Sequence, residues 1–127
     1  MGRRTYEAAV TRLGEAAFQG IKTIVVSRTL RQSDHPKVTI LPELKRDQMQ
    51  AWRAQNGKDI WLFGGGELFH ALLEMREVDT VELSIMPVLL GGGVALLPSP
   101  AARANLRLTK HKVYASGIVS LVYEVRR

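Results

Sequence analysis

Apolar and polar positions along this chain switch repeatedly between two periods, and each switch marks an element. Tyr6, Ala9, Val10 and Leu13 fall at i, i+3, i+4 and i+7, which predicts an amphipathic helix over Arg4–Leu13. Thr5 is placed to cap its first turn, Glu7 to complement its dipole and Gly14 to end it. Gly20 introduces Ile21–Ser27, rich in β-branched residues and predicted to be a strand, with Arg28 and Thr29 at its C-terminal end. Arg31–Pro36 is polar and loop-like, and Lys37–Leu41 predicts a brief edge strand before Pro42. Glu43–Gln55 reads as a charged helix with Leu44, Met49, Ala51 and Trp52 on its apolar side, stopped by Asn56-Gly57.

The centre of the chain carries its most informative pattern. Ile60–Phe63 is a short apolar run that predicts a buried strand. Gly64-Gly65-Gly66 follow, and Glu67 to about Met75 then shows helical spacing. A strand that ends in glycines and feeds a helix brings bare backbone N–H groups to a helix N-terminus, where hydrogen bonds and the helix dipole hold a phosphate. A tight strand-to-helix turn of any α/β domain reads the same way, and both readings stay open on this stretch alone. Phe69 stands where a Rossmann fingerprint needs its third glycine, and no Gly-Lys-Ser/Thr of a Walker A loop follows. Beyond it, Thr80–Met86 predicts a strand closed by Pro87. Val88–Pro100, with Gly91-Gly92-Gly93, predicts an irregular loop. Leu106–Tyr114 and Ile118–Val125 predict a hairpin around Ala115-Ser116-Gly117. Strands alternating with helices and finishing in a hairpin predict an α/β class, with a mostly parallel sheet and an antiparallel end.

Composition narrows the chemistry. The 127 residues suffice for one domain, residues 1–127, with a core of its own. No apolar run approaches the roughly 20 residues that span a bilayer, so no membrane partner is expected. The chain has no cysteine, which excludes disulfides and thiolate catalysis and makes the cytoplasm the expected compartment. The net charge of +6 favours an anionic ligand. The basic residues are scattered and do not alternate with aromatics, so a phosphate-bearing small molecule suits the charge better than nucleic acid. His35, His70 and His111 are not spaced as metal ligands, and no metal is expected.

Three ordered pieces carry a family resemblance: Gly2-Arg3-Arg4-Thr5-Tyr6-Glu7 opening a helix, Ser27-Arg28 at a strand end, and Phe63-Gly64-Gly65-Gly66-Glu67-Leu68. They resemble the dihydrofolate reductase-like family, in particular the branch of short bacterial reductases similar to the riboflavin-biosynthesis reductase domain. Asp79–Gly93 fits the same branch, and the resemblance runs from Gly2 to about Tyr123. It implies a mixed sheet flanked by helices, with NADPH across the strand ends, and hydride transfer to a small heterocyclic, imine or carbonyl substrate. It places backbone N–H groups of Arg4 and Thr5, the Thr5 hydroxyl, and Gly64, Gly65, Gly66, Glu67 and Leu68 at the pyrophosphate. Arg3, Ser27 and Arg28 would meet the adenosine 2′-phosphate, favouring NADPH over NADH. It puts Phe63 near the nicotinamide, a cis bond at Gly64-Gly65, and Ser84 at a substrate-pocket position. It supplies no general acid, so the catalytic residues stay unassigned.

The resemblance also implies a departure. Members carry a further N-terminal stretch, resembling two strands and a helix, that supplies central strands and the wall of the substrate pocket. Against that pattern the chain reads as an N-terminally truncated reductase domain, and unpaired strand edges predict a homo-oligomer. The alternative is a non-catalytic NADP-binding or interaction module that has lost the substrate half.

Overall fold

The computed structural model describes residues 1–101 and 103–127. It forms two compact units, Met1–Phe69 and His70–Arg127. In the first unit, helix α1 (Arg3–Leu13) is followed by a 3-10 turn at Glu15–Phe18, strand β1 (Ile24–Val26), strand β2 (Thr39–Leu41) and helix α2 (Arg46–Arg53). Helix α3 (Gly66–Glu74) starts in this unit and runs into the second. The second unit continues with strands β3 (Thr80–Ile85), β4 (Asn105–Val113) and β5 (Val119–Arg126).

The α1 helix forms where its period predicts and buries Tyr6 and Ala9. Its side chains make a different start from the one expected. Gly2 is the N-cap with no side-chain cap bond, Thr5 lies within the first turn, and Glu7 pairs with Arg3 at 3.0 Å instead of lying in that turn. The core of the first unit is Tyr6, Val25 and Val38, with Met1, Val10, Phe18, Leu30 and Ile40 packed around them. Strands β1 and β2 pair in parallel, Ile24 with Thr39 through Val26 with Leu41. Met1 and Gly2 run beside β1 on its other side. The Met1 amino group donates to Ile24 O at 2.8 Å, Val26 N–H donates to Met1 O at 2.9 Å, and Gly2 and Val26 form a parallel bridge. Burial in this position lowers the pKa of the Met1 ammonium.

Three elements differ from expectation. The first strand is shorter than Ile21–Ser27, because Ile21 is exposed and Thr23 turns its hydroxyl back to Ile21 O at 3.2 Å. The second helix starts at Arg46 rather than Glu43, where Gln48 Oε1 accepts the Lys45 N–H and sets the entry turn. The third is larger. Ile60–Phe63 is not a buried strand: among the described residues it joins no ladder, and Trp61 is 74% exposed. An apolar run reports a preference to be covered, but a strand exists only where a neighbouring backbone completes its hydrogen bonds.

In the second unit β5 lies between β3 and β4, antiparallel to both. The expected hairpin is present, closed by Tyr114 N–H to Ile118 O at 2.9 Å. Gly117, at φ 85°, turns the chain over Pro87. The register puts Val81, Leu83 and Ile85 with Tyr123, Leu121 and Val119 on one face, and Glu82 and Ser84 with Val122 and Ser120 on the other. Residues 88–100 form the irregular loop expected, with a cis Ser99-Pro100 bond. The architecture is therefore mixed α/β, with its parallel pairing in the β1–β2 sheet and its antiparallel pairing in the three-stranded sheet.

Candidate functional site

The glycine turn and the start of α1 meet at one place. Gly2 N–H donates to Gly64 O at 2.9 Å, so the chain entering α1 and the chain entering α3 lie side by side at the end of β1. In α1 the first helical bond runs from Tyr6 N–H to Gly2 O at 3.1 Å, and in α3 from Phe69 N–H to Gly65 O at 3.0 Å. The N–H groups of residues 3–5 and 66–68 therefore precede the two helical ladders, at the positive end of each helix's own dipole.

The local sequence explains why the backbones come so close. Gly64 has φ 117°, which a side chain rarely tolerates, and the Gly64-Gly65 bond is cis, as the resemblance implied. A Cβ on Gly65 would lie 3.1 Å from Thr5 Oγ1. Thr5 thus leans on the glycine turn, and Gly2, Thr5 and Gly64–Gly66 form one cradle. Glu67 is exposed on the first turn of α3, Leu68 is half-buried, and Phe63 packs edge-on against Trp61 at 5.0 Å.

The expected basic cluster is arranged differently. Both oxygens of Glu7 accept from Arg3 Nη1, at 3.0 and 3.3 Å, because i and i+4 share one helix face. Arg4 is exposed. Ser27 is buried, and its hydroxyl oxygen accepts the N–H groups of Thr29 at 3.2 Å and Leu30 at 3.1 Å. Arg28 is exposed on the turn this makes. Sequence reasoning passed over Glu7 as a partner for Arg3 and Thr29 as a neighbour of Ser27. The first was readable from i, i+4 spacing and the second from the tendency of serine to bond its own backbone two residues on.

Ser84 lies in the second unit, exposed on β3 opposite Ser120, which is in turn opposite Lys112. His35 Nδ1 lies 3.3 Å from the Tyr6 hydroxyl, and His70 Nε2 3.5 Å from Glu74. Among the described residues no group of three or more His, Cys, Asp or Glu is arranged to hold a metal ion. No helix among them is long and apolar enough to cross a membrane.

The RibD C-terminal domain family matches residues 7–120. The chain belongs to that family. Its relatives include two Bacillus subtilis (strain 168) proteins. YyaP is 34% identical over 102 residues, covering 80% of this chain and 54% of YyaP. YwjB is 25% identical over 118 residues, covering 93% of this chain and 68% of YwjB. The chain thus spans about half the length of YyaP. Among solved structures, the "Putative riboflavin biosynthesis protein" of Shewanella sp. PV-4 matches with a TM-score of 0.81 at 22% identity, over 100% of this chain and 72% of that one. A pyrimidine reductase-like protein of Corynebacterium diphtheriae matches with a TM-score of 0.62 at 17% identity, over 87% and 52%. At these identities the likeness is one of fold, and this RibD C-terminal family chain carries a reductase-like, dihydrofolate reductase-like fold.

Proposed function

We propose that the chain is the cofactor-holding part of an NADPH-dependent reductase that passes a hydride to a small heterocyclic, imine or carbonyl substrate. The observation that carries this reading is the bond from Gly2 N–H to Gly64 O, which sets two helix N-termini beside one glycine backbone. A dinucleotide pyrophosphate suits that cradle. It is a doubly charged anion, and backbone without side chains lets it come close to the N–H groups of the glycine turn. N–H groups of residues 3–5 and 66–68, with the Thr5 hydroxyl, would hold it. The exposed Arg28 would meet the 2′-phosphate, and Phe63 would border the nicotinamide. When bound, the nicotinamide supplies the hydride; the chain's own residues bind and orient it. A compartment rich in reduced cofactor, the cytoplasm, fits a chain without cysteine.

A second reading, a non-catalytic NADP-binding module, is favoured by one observation. The cradle is built entirely within Met1–Phe69, without Ser84 or any assigned acid. Binding without turnover would support it.

Titration with NADPH and NADH, using Trp52 and Trp61 fluorescence, tests the cofactor. NADPH is expected to bind at least about tenfold more tightly, roughly 1.4 kcal/mol. Arg28→Ala should shrink that preference and leave NADH binding nearly unchanged. Equal affinities in the parent protein would overturn the assignment.

A further inference from the structure

The three-stranded sheet has two edges, and the chain treats them differently. The β4 edge is blunted: its register shifts between Leu108 and Lys110, and Arg107, Lys110 and Lys112 lie along it. The β3 edge carries no such device. Its pairing with β5 is unbroken from Thr80 to Ile85, and it holds no proline, lysine or arginine. Among the described residues no strand pairs with its outer side. Val125 N–H donates to Asp79 O at 2.9 Å, so Asp79, and by alternation Val81, Leu83 and Ile85, turn their backbone groups inward to β5. The N–H and C=O groups of Thr80, Glu82 and Ser84 therefore point outward. All three residues are exposed.

We propose that this edge pairs with the β3 edge of a second copy of the chain, antiparallel about a two-fold axis at Leu83. The register follows from two conditions. Outward-facing residues must meet outward-facing residues, which also keeps the apolar faces of the two strands level. Of the registers that satisfy this, the two with the greatest overlap are centred on Glu82 and on Leu83. Centring on Glu82 would set that carboxylate opposite its own copy, a like-charge pair. Centring on Leu83 sets Leu83 opposite Leu83, Val81 opposite Ile85, and Glu82 opposite Ser84 of the second copy, whose hydroxyl can donate to the carboxylate. The contact is self-complementary, as a two-fold interface requires, and each three-stranded sheet continues into the other. It stands independently of the cofactor reading.

Light scattering over a concentration series reads the Kd of the dimer, and four variants read its register. Ser84→Glu sets a carboxylate opposite Glu82 on both sides of the axis and should weaken association by about tenfold. Ser84→Lys at the same place should tighten it by a similar factor, with the gain lost at high salt. Leu83→Cys gives this cysteine-free chain one thiol, facing its own copy in a non-hydrogen-bonded pair. The two Cα atoms would stand about 4.5 Å apart, within disulfide reach, so mild oxidation should cross-link the dimer. Glu82→Cys, whose thiols this register holds apart, should not cross-link. Equal association of Ser84→Glu and Ser84→Lys, or faster cross-linking of Glu82→Cys than of Leu83→Cys, would overturn the inference. So would a parent that stays monomeric throughout the series. Should Leu83→Cys fail to fold by circular dichroism, the two Ser84 variants, at an exposed position, decide alone.

Discussion

A Cβ on Gly65 would stand 3.1 Å from Thr5 Oγ1, tighter than nine in ten real Cβ contacts, so Thr5 would have to give way. The neighbour has little freedom to yield, because Thr5 sits in the first turn of a helix whose entry is bonded to Gly64. Gly65→Val is therefore expected to abolish cofactor binding while leaving a folded protein, checked by circular dichroism alongside fluorescence titration. A folded Gly65→Val protein with normal NADPH affinity would show that the turn serves structure alone. The family resemblance implied Arg3, Ser27 and Arg28 as three ligands for one phosphate. Two of them have nearer partners, Glu7 for Arg3 and the Thr29 and Leu30 amides for Ser27. A short-range hydrogen bond needs no ligand and costs little chain entropy, so it forms first.

The α1 helix is docked by Tyr6, which is buried against Phe18 and meets His35 both edge-on and through its hydroxyl at 3.3 Å. Burial raises the Tyr6 pKa above 10, nearby Glu15 raises it further, and Lys37 opposes them. A folded pKa above the unfolded one means the unfolded chain gives up this proton first. The stabilisation is thus complete below about pH 10 and lost as pH rises through the folded value. Urea melts followed by circular dichroism should show stability falling above about pH 10. Tyr6→Phe should flatten that alkaline fall while costing about 1 kcal/mol at neutral pH through the lost His35 bond. An unchanged alkaline slope in Tyr6→Phe would exclude Tyr6 as its source. Elements such as α1, α3 and the β4–β5 hairpin were legible because each carries its own signal, a 3.6-residue period or a glycine turn between β-branched runs. Ile60–Phe63 was not, because its state depends on a partner strand that no local pattern encodes. The starts of β1 and α2 were set by single hydrogen bonds, from Thr23 and to Gln48, which periodicity does not register.

Across the whole molecule, apolar surface and charge are unevenly distributed. Between Met86 and Pro100 the sequence has no charged residue, and Leu89 and Val94 there are fully exposed. Ile60 and Trp61 add exposed apolar surface in the other unit. Surface of this kind favours association with another copy, against repulsion between chains of +6 each. Light scattering at tens of micromolar is expected to give a dimer or larger species, and added salt should tighten it by screening the charge. A monomer at every salt concentration would refute this.

The contact between residue 2 and residue 64 also has a kinetic side. The two helix starts that make the cradle are joined through a long intervening chain, so the cradle appears only when that large loop closes, a step whose entropy cost grows with the logarithm of loop length. A chain that has formed α1, or α3, but not the bond between them has only half of the cradle. A ligand seated across both starts would then favour the closed form by mass action and slow its opening. Residues 42–60, which lie within the loop, would become harder for a protease to reach as ligand is added.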